Sequence, residues 1–287
     1  MVLKMGVMAI TWKDVYDYIR CPKILAFRTA GLKTRAVSRR KLPNIAPHIA
    51  GKIGEDVVEV LLPPLTSQDV DLHKAERALN IIEESAQEKG ATTSLPEDLA
   101  REMARDLLGK HPDLKRELLK RLENLRISID DSLIKSIFNQ TIAGIQISAL
   151  ILREKYGELE LLGRAEAKAP VLPSWLEPDF IFKPKDTENM IIVEVKNKAN
   201  LTSQDRIQAS FYASLGLLGG IAVKEHITPE GPSPVPKSFL KPPSSCILLN
   251  VRLGIVEEVP AEVNVISLLQ GVWEAKQLGL MGKQPDV

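Results

Sequence analysis

Cysteine and histidine are scarce in this chain, which limits the metal sites that it can build. Its two cysteines, Cys21 and Cys246, are far apart, and neither belongs to a C-x-x-C pair. Two thiolates cannot fill a tetrahedral zinc site or a four-cysteine iron–sulfur cluster. The four histidines are not spaced as paired ligands on one helix. Any catalytic metal is therefore expected to have oxygen ligands.

The chain also lacks a long apolar run and an excess of charge of one sign. No stretch approaches the roughly 20 apolar residues of a membrane-spanning helix, and the apolar start over residues 1–8 is too short for a signal peptide. We therefore expect no membrane association and a cytoplasmic location. The formal net charge of +1 gives no global attraction for nucleic acid, so a nucleic-acid site would depend on local clusters of basic residues.

Apolar periodicity divides the chain into a helical first part and an α/β second part. Apolar side chains recur at helical spacing over residues 67–156. A helix over 48–62 is expected to end at Pro63, because proline has no N–H to donate. The later pattern predicts strands at 159–169, 179–182, 190–195, 219–225 and 246–251, and helices at 201–218 and 261–278.

This order predicts an α/β fold with a central mixed sheet flanked by helices and a large helical insertion. We divide the chain into N-terminal helices of the core with a basic segment (residues 1–65), the helical insertion (66–156) and the rest of the core (157–287).

Two neighbouring strands are predicted to bring acids and a lysine to one corner of the sheet. Asp179 opens one strand, and Glu194 and Lys196 end the next. Residues two apart on a strand point to the same face. Paired carboxylates can hold Mg²⁺ or Mn²⁺, and a lysine beside them can stabilise the charge that develops when water attacks a phosphate in line. The pattern favours hydrolysis of phosphodiesters.

The acid-x-Lys triplet is not specific by itself. The chain has four, about the number that its composition gives by chance. Those starting at Asp113 and Glu274 lie in predicted helices, where residues two apart face different ways. The triplet starting at Glu166 lies in a candidate strand and is the serious competitor. Taken alone, any of them is better explained by solvated surface charges; Glu194 is preferred because its strand is buried and follows an Asp-bearing strand.

Two predicted helices add further polar residues. Gln208 and Tyr212 are one helical turn apart and share a face, and Glu55 lies on an upstream helix as a further acidic ligand. The ordinary alternatives are an amphipathic helix with a half-buried tyrosine and a solvent-facing acid. The complete order of helix Glu, strand Asp, strand Glu-x-Lys and helix Gln-x-x-x-Tyr is much less expected by chance.

In this order and spacing the sequence resembles the RecB-like branch of the PD-(D/E)XK nuclease superfamily, and particularly the CRISPR-associated RecB-like exonucleases. The resemblance covers residues 11–59 and 159–251, and the segment at 18–23 is similar to the family's N-terminal cysteine motif. It implies a restriction-endonuclease-like core and an Mg²⁺- or Mn²⁺-dependent deoxyribonuclease that trims single-stranded or flapped DNA ends. CRISPR adaptation proteins would be its partners in antiviral defence; DNA repair or recombination is the other context.

The resemblance also implies roles for individual residues. Gln208 and Tyr212 would position DNA or the lysine. Glu55 stands four residues after the helix glycine, at the place where many relatives have a histidine. The residues assigned to catalysis are Asp179, Glu194, Lys196, Gln208 and Tyr212. The metal ligands assigned are Glu55, Asp179, Glu194 and the carbonyl of Val195.

Relatives commonly hold a 4Fe–4S cluster with four cysteines, and the cysteine count excludes that arrangement here. Cys21 and Cys246 are then either a remnant of the cluster site, close together in the fold, or two small buried apolar side chains.

A basic segment over residues 28–52 contains no acid and is the candidate track for a DNA backbone, although a charge run is equally well a solvated face. Nearby aromatic side chains are expected either to stack on single-stranded bases or, more often, to pack a helix; they are Trp12, Tyr16, Tyr18 and Phe27. The residues predicted to bind DNA are Arg35, Arg39, Arg40, Lys41 and Lys198.

The sequence is also compatible with two other functions. A DNA-binding or assembly subunit would keep the fold without cutting. A structure-specific endonuclease, of the junction-resolvase or restriction type, would use the same fold on another substrate, because a fold alone does not determine the substrate.

Overall fold

A six-stranded mixed sheet lies at the centre of the computed structural model, which describes residues 10–31, 47–67, 72–89, 95–124, 132–167, 176–224, 227–228, 231–232 and 245–283. In chain order, the strands are β1 (Leu159–Ala167), β2 (Phe180–Pro184), β3 (Ile191–Lys196), β4 (Ile221–Val223), the short hairpin β5 (Ile227–Thr228) and β6 (Gly231–Pro232), β7 (Ser245–Asn250) and β8 (Ile255–Pro260). The sheet order is β4-β1-β2-β3-β7-β8, with β3 and β7 parallel and the other neighbours antiparallel. The predicted α/β fold with a central mixed sheet is confirmed.

Helices cover both faces of this sheet. They are α1 (Trp12–Arg20), α2 (Pro22–Thr29), α3 (Pro47–Thr66), α4 (His73–Lys89), α5 (Glu97–Lys110), α6 (Pro112–Asn124), α7 (Ser132–Tyr156), α8 (Ser203–Leu217) and α9 (Val265–Leu280). Among the helices that the structure describes, none combines the length and apolar character that a membrane span requires.

Strand β3 shows how the two faces differ. Ile191, Val193 and Val195 pack in the apolar cluster that contains α3 and α7, whereas Ile192 packs in the cluster that contains α8. Alternate residues of a strand point to opposite faces. Glu194, two residues after Ile192, therefore points to the α8 face, and Lys196 follows it there.

Helix α3 runs past the two prolines at which we expected it to end. It extends to Thr66, so the prediction that it stops before Pro63 is wrong. The last turn is held from outside the helix: Leu65 and Thr66 are buried, and the Thr66 hydroxyl accepts a 3.0 Å hydrogen bond from the backbone N–H of Leu159 at the start of β1. This packing outweighs the hydrogen bonds that the prolines cannot make.

The helices of the proposed insertion share their core with the sheet. Buried residues of α5, α6 and α7 belong to the same apolar cluster as residues of β2 and β3, for example Met103, Leu118 and Ile145 beside Phe180 and Val193. The helical character predicted for 67–156 is confirmed within the described ranges. These helices thus support the α3 face of the sheet rather than standing apart from it.

Buried charges fasten the N-terminal helices to the last helix. Lys276 of α9 donates a 2.9 Å hydrogen bond to Asp14 of α1, and Arg28 of α2 also contacts Asp14. Asp14 and Lys276 are both buried. This cluster joins α1 and α2 to α9, and its residues Asp14 and Lys276 are 262 positions apart in the sequence.

Gly144 allows close contact between α7 and the chain that follows β7. A β-carbon at Gly144 would lie 2.0 Å from the carbonyl oxygen of Val251. Glycine is therefore needed at this position, although alanine is the better helix former by about 1 kcal/mol.

We predict that Gly144→Ala destabilises the protein by about 2 kcal/mol or more, because backbone atoms must move apart. Gly109→Ala in α5 is the matched control, since a β-carbon there meets no atom within 4 Å, and it should leave stability unchanged or raise it by up to about 1 kcal/mol. The measurement is urea unfolding of both variants. Equal effects of the two changes would contradict the close packing of α7 on Val251.

Candidate active site

The corner formed by the start of β2 and the end of β3 gathers the predicted acidic residues. Asp179 immediately precedes β2, and its Oδ2 accepts a 2.7 Å hydrogen bond from the backbone N–H of Val195. Glu194 is only 3% exposed, whereas Asp179 is partly exposed. The two acids adjoin the Phe180–Val193 pair of β2 and β3, with Glu194 inside the fold and Asp179 nearer its rim.

Lys196 links the buried acid to helix α8. Its Nζ forms an ion pair with Oε1 of Glu194 and donates a 3.1 Å hydrogen bond to Oε1 of Gln208. The lysine side chain is 17% exposed, so its ammonium group is shielded but not sealed from solvent. Both partners keep the ammonium at the rim where Asp179 lies.

Tyr212 is completely buried, and its hydroxyl has three hydrogen-bond partners. Its hydroxyl accepts from Nε1 of Trp12 at 2.7 Å and from Nε2 of Gln208 at 3.2 Å, and it donates to the carbonyl oxygen of Glu177 at 2.7 Å. Glu177 is two residues before Asp179. The tyrosine thus connects α1, α8 and the segment that carries the partly exposed acid.

A second tyrosine completes this network from α1. The Tyr16 hydroxyl donates a 3.2 Å hydrogen bond to Oε1 of Gln208, the same oxygen that accepts from Lys196. Burial raises the pKa of Tyr16 to about 12, and the charges of Asp205 and Glu194 add to this while that of Lys196 opposes it. Tyr16 therefore remains a donor, and the amide of Gln208 is held at both ends.

Burial and mutual repulsion set the protonation of the carboxylates. Burial, together with the charges of Glu194 and Glu55, raises the pKa of Asp179 well above its ordinary value, against the opposing effect of Lys196 and the Val195 N–H. Burial also raises the pKa of Glu194, and the ion pair with Lys196 partly offsets it. Burial alone would lower the pKa of Lys196, but Glu194 and Asp179 outweigh it and raise that pKa, so the lysine is charged at neutral pH.

Part of this arrangement fits a divalent cation. Oε2 of Glu194 is buried and has no hydrogen-bond partner, and an orphaned carboxylate oxygen beside a second acid is a donor set that hard cations prefer. In the described ranges, however, no three acidic, histidine or cysteine side chains are already gathered around one point. Glu55 instead accepts 2.9 Å hydrogen bonds from Lys52 and Arg164.

Of the residues predicted to bind DNA, Lys198 alone lies within the described ranges. Arg35, Arg39, Arg40 and Lys41 lie outside the described residues. Lys198 follows β3 and forms an ion pair with Asp205 of α8. Trp12 packs edge-on against Phe211 and Tyr212, with ring centroids 5.0 and 5.5 Å apart, which is the packing alternative rather than an exposed stacking surface.

The two cysteines lie in different surroundings. Cys21 is partly buried at the junction of α1 and α2, and Cys246 is fully buried on β7 opposite Ile192; both are free thiols. Burial, with the charges of Glu194 and Asp179, raises the pKa of Cys246 well above its ordinary value. Cys246 is therefore held as a neutral thiol in the apolar cluster on the α8 face of the sheet.

Sequence reasoning missed two residues that shape this corner. Arg164 of β1 binds Glu55 and Glu59, and Asn197 is buried directly after Lys196, donating to the carbonyl of Ala50 at 2.8 Å and to the Thr141 hydroxyl at 3.0 Å. The available signal for Arg164 was that it is the one basic residue of β1, between the acids Glu160 and Glu166. Asn197 had no comparable signal.

Comparison of the sequence with protein-family models and with curated proteins found no match.

Asp179 is predicted to lower the stability of the metal-free fold at neutral pH. The folded chain retains the proton of Asp179 to a higher pH than the unfolded chain does, so stability falls as pH rises from the ordinary aspartate pKa through the raised one. Asp179→Asn should therefore raise the unfolding free energy at pH 7 by on the order of 1 kcal/mol, and the gain should shrink at acid pH. Thermal unfolding at several pH values measures this, with exposed Asp186→Asn as control. A loss of stability at pH 7 would contradict the proposed repulsion.

Tyr212→Phe is predicted to cost about 1–3 kcal/mol, because it takes the acceptor from the Trp12 N–H and the Gln208 amide beside a fully buried ring. Tyr16→Phe removes one donor and leaves Gln208 bonded to Lys196, so it should cost less. Urea unfolding of the two variants compares them. Similar costs would show that the hydroxyl of Tyr212 is not the junction of the network.

Proposed function

We propose that this chain is a divalent-cation-dependent deoxyribonuclease with a restriction-endonuclease-like core of the RecB-like PD-(D/E)XK type. One observation carries the proposal: buried Glu194 is ion-paired to Lys196 next to Asp179, and its second oxygen has no partner. A buried charge cluster of this kind adds little to stability. It is, however, what hydrolysis of a phosphodiester requires.

The residues of the corner have complementary tasks in this reaction. Asp179 and Glu194, with the carbonyl of Val195, would hold Mg²⁺ or Mn²⁺, which when bound polarises the phosphate and lowers the pKa of water. The ammonium of Lys196 would neutralise charge on the phosphate as water attacks in line. Gln208 fixes the ammonium by its 3.1 Å hydrogen bond.

The environment of Lys196 suits a group that stabilises negative charge rather than one that removes a proton. Its pKa is raised, and two carboxylates and an amide oxygen surround it. A lysine that acts as a base needs a pKa lowered towards neutrality. In the metal-free fold the residue therefore contributes a positive charge, and its partners are the same carboxylates that would hold the cation.

The substrate we propose is DNA with single-stranded or free ends, trimmed from an end or at a flap, in CRISPR adaptation or in DNA repair. Asp179 is partly exposed as a residue, so the corner is not completely enclosed by the fold. The basic residues proposed to guide the backbone lie mostly outside the described residues.

A DNA-binding or assembly subunit that does not cut is the second candidate. The observation in its favour is that Glu55 is bound to Arg164 and Lys52 instead of lying with the other two acids. The remaining alternative is a structure-specific endonuclease that cuts junctions. Only the preferred DNA substrate distinguishes it from the nuclease that we propose.

The test is cleavage of end-labelled single-stranded, duplex, flapped and junction DNA with Mg²⁺, Mn²⁺ or chelator. Asp179→Asn, Glu194→Gln and Lys196→Met should each lower the rate roughly a hundredfold or more, because each removes charge stabilisation at the reacting phosphate. Chelator should abolish cutting by the wild type.

The matched control is Lys115→Met in the acid-x-Lys triplet of α6. Lys115 is exposed, and its loss should leave the rate unchanged. Preferred cutting of free ends supports the proposed substrate, whereas preferred cutting of junctions favours the endonuclease alternative. DNA binding without cutting by the wild type under every metal would replace the nuclease proposal by the assembly role.

A further inference from the structure

Arg164 joins strand β1 to two acids of helix α3. Its guanidinium donates 2.9 Å hydrogen bonds to Oε2 of Glu55 and to Oε2 of Glu59, and it lies over the ring of Phe180 at 5.0 Å. The arginine side chain is 30% exposed, and that of Glu55 is 25% exposed. The contact is therefore partly shielded from water, with a geometry fixed by two hydrogen bonds and a stacked ring.

This contact lies next to the proposed reaction corner. Phe180, which pairs with Arg164 across β1 and β2, follows Asp179 directly. On the other side, Gly54 precedes Glu55, and a β-carbon at Gly54 would be 3.0 Å from the β-carbon of Asn197, the residue after Lys196. Helix α3 is thus pressed against the end of β3 at the residue that precedes Glu55.

Two cations hold the carboxylate of Glu55. Oε2 accepts from Arg164 and from Lys52, both at 2.9 Å, so the same oxygen is used twice. Glu59 differs because Arg121 also binds it, at 2.8 Å, through its other oxygen. Removing Arg164 would therefore leave Glu59 paired with Arg121, while Glu55 would keep only the half-exposed Lys52.

We propose that Arg164, together with Lys52, holds Glu55 away from Asp179 and Glu194, and that a divalent cation must displace this contact before Glu55 becomes its third acidic ligand. This inference rests on the proposed function. It assigns Arg164 the task of a positioning residue that controls the affinity for the cation.

The proposed site thus lacks its third acidic ligand until a divalent cation binds. A resident guanidinium competes with the incoming cation for one carboxylate, and its positive charge also repels that cation. Both effects weaken binding of the cation, and both are removed with the side chain. Loss of Arg164 is thus expected to tighten binding, whereas loss of a residue that merely supported the site would weaken it.

Mn²⁺ binding to the full chain, measured by isothermal titration calorimetry and by the electron paramagnetic resonance signal of free Mn²⁺, tests the proposal without relying on cleavage. Arg164→Met should bind Mn²⁺ roughly three- to tenfold more tightly than the wild type, the effect expected of one partly screened charge near a divalent ion.

Arg121→Met is the matched control. It removes an arginine from the same acidic cluster, where Arg121 contacts Asp56, Glu59 and Glu117 rather than Glu55. Its effect on Mn²⁺ affinity should stay below about twofold, because a more distant charge is more strongly screened. Equal tightening by the two changes would show a general effect of charge and would overturn the assigned role of Arg164.

A double-mutant cycle then tests whether Arg164 acts through Glu55. Glu55→Gln alone should weaken Mn²⁺ binding. In the Glu55→Gln background the tightening caused by Arg164→Met should shrink to the part that comes from direct charge repulsion. Persistence of the full tightening without Glu55 would overturn the proposal. If Arg164→Met does not fold, Lys52→Met gives the same test in the same direction, because it removes the other cation from Oε2.

The outcomes separate this inference from the proposed function. Mn²⁺ binding by the wild type, with unchanged or weaker binding by Arg164→Met, overturns the role of Arg164 and leaves the nuclease intact. Absence of Mn²⁺ binding by the wild type, or binding that Asp179→Asn leaves unchanged, overturns the metal site itself. Tighter binding that depends on Glu55 supports both.

Discussion

The ion pair between buried Glu194 and Lys196 is the interaction on which the rest of the candidate site depends. A carboxylate that is 3% exposed can remain ionised only if a positive charge lies beside it. Lys196 supplies that charge because residues two apart on β3 share a face. The side of β3 that carries them is set in turn by Ile191, Val193 and Val195, which pack on the opposite face against α3 and α7. The apolar pattern of one strand thus determines where the charges lie.

The hydrogen bonds around this pair come from distant parts of the chain. Trp12 and Tyr16 of α1 reach Tyr212 and Gln208 of α8, and Gln208 bonds to Lys196. Helix α1 is itself fixed by the buried contact between Asp14 and Lys276. In a buried network each partner has little freedom, since an unpaired group is costly. The ammonium of Lys196 is therefore held by the packing of three separate helices on the sheet rather than by local sequence.

Much of the fold could be predicted from the sequence, and part of the site could not. The apolar run of β3 and the helical spacing of α8 identify those elements, and the adjacency of two strands is enough to bring Asp179 near Glu194. The contact between Trp12 and Tyr212 joins residues 200 positions apart, and that between Arg164 and Glu55 joins residues 109 apart. Both depend on how helices dock on the sheet, which no local pattern records. The predicted end of α3 was wrong for the same reason. Packing of Leu65 and Thr66 outweighs the hydrogen bonds that the two prolines cannot make.

The central claim is that the corner formed by Asp179 and Glu194 binds a divalent cation, and crystals grown with Mn²⁺ test it most directly. Anomalous diffraction locates manganese without any assumption about activity. The account predicts one strong peak within coordination distance of both carboxylates, with the unpartnered Oε2 of Glu194 among the ligands. A map with no peak between these residues at saturating Mn²⁺, or a peak bound only elsewhere, would contradict it.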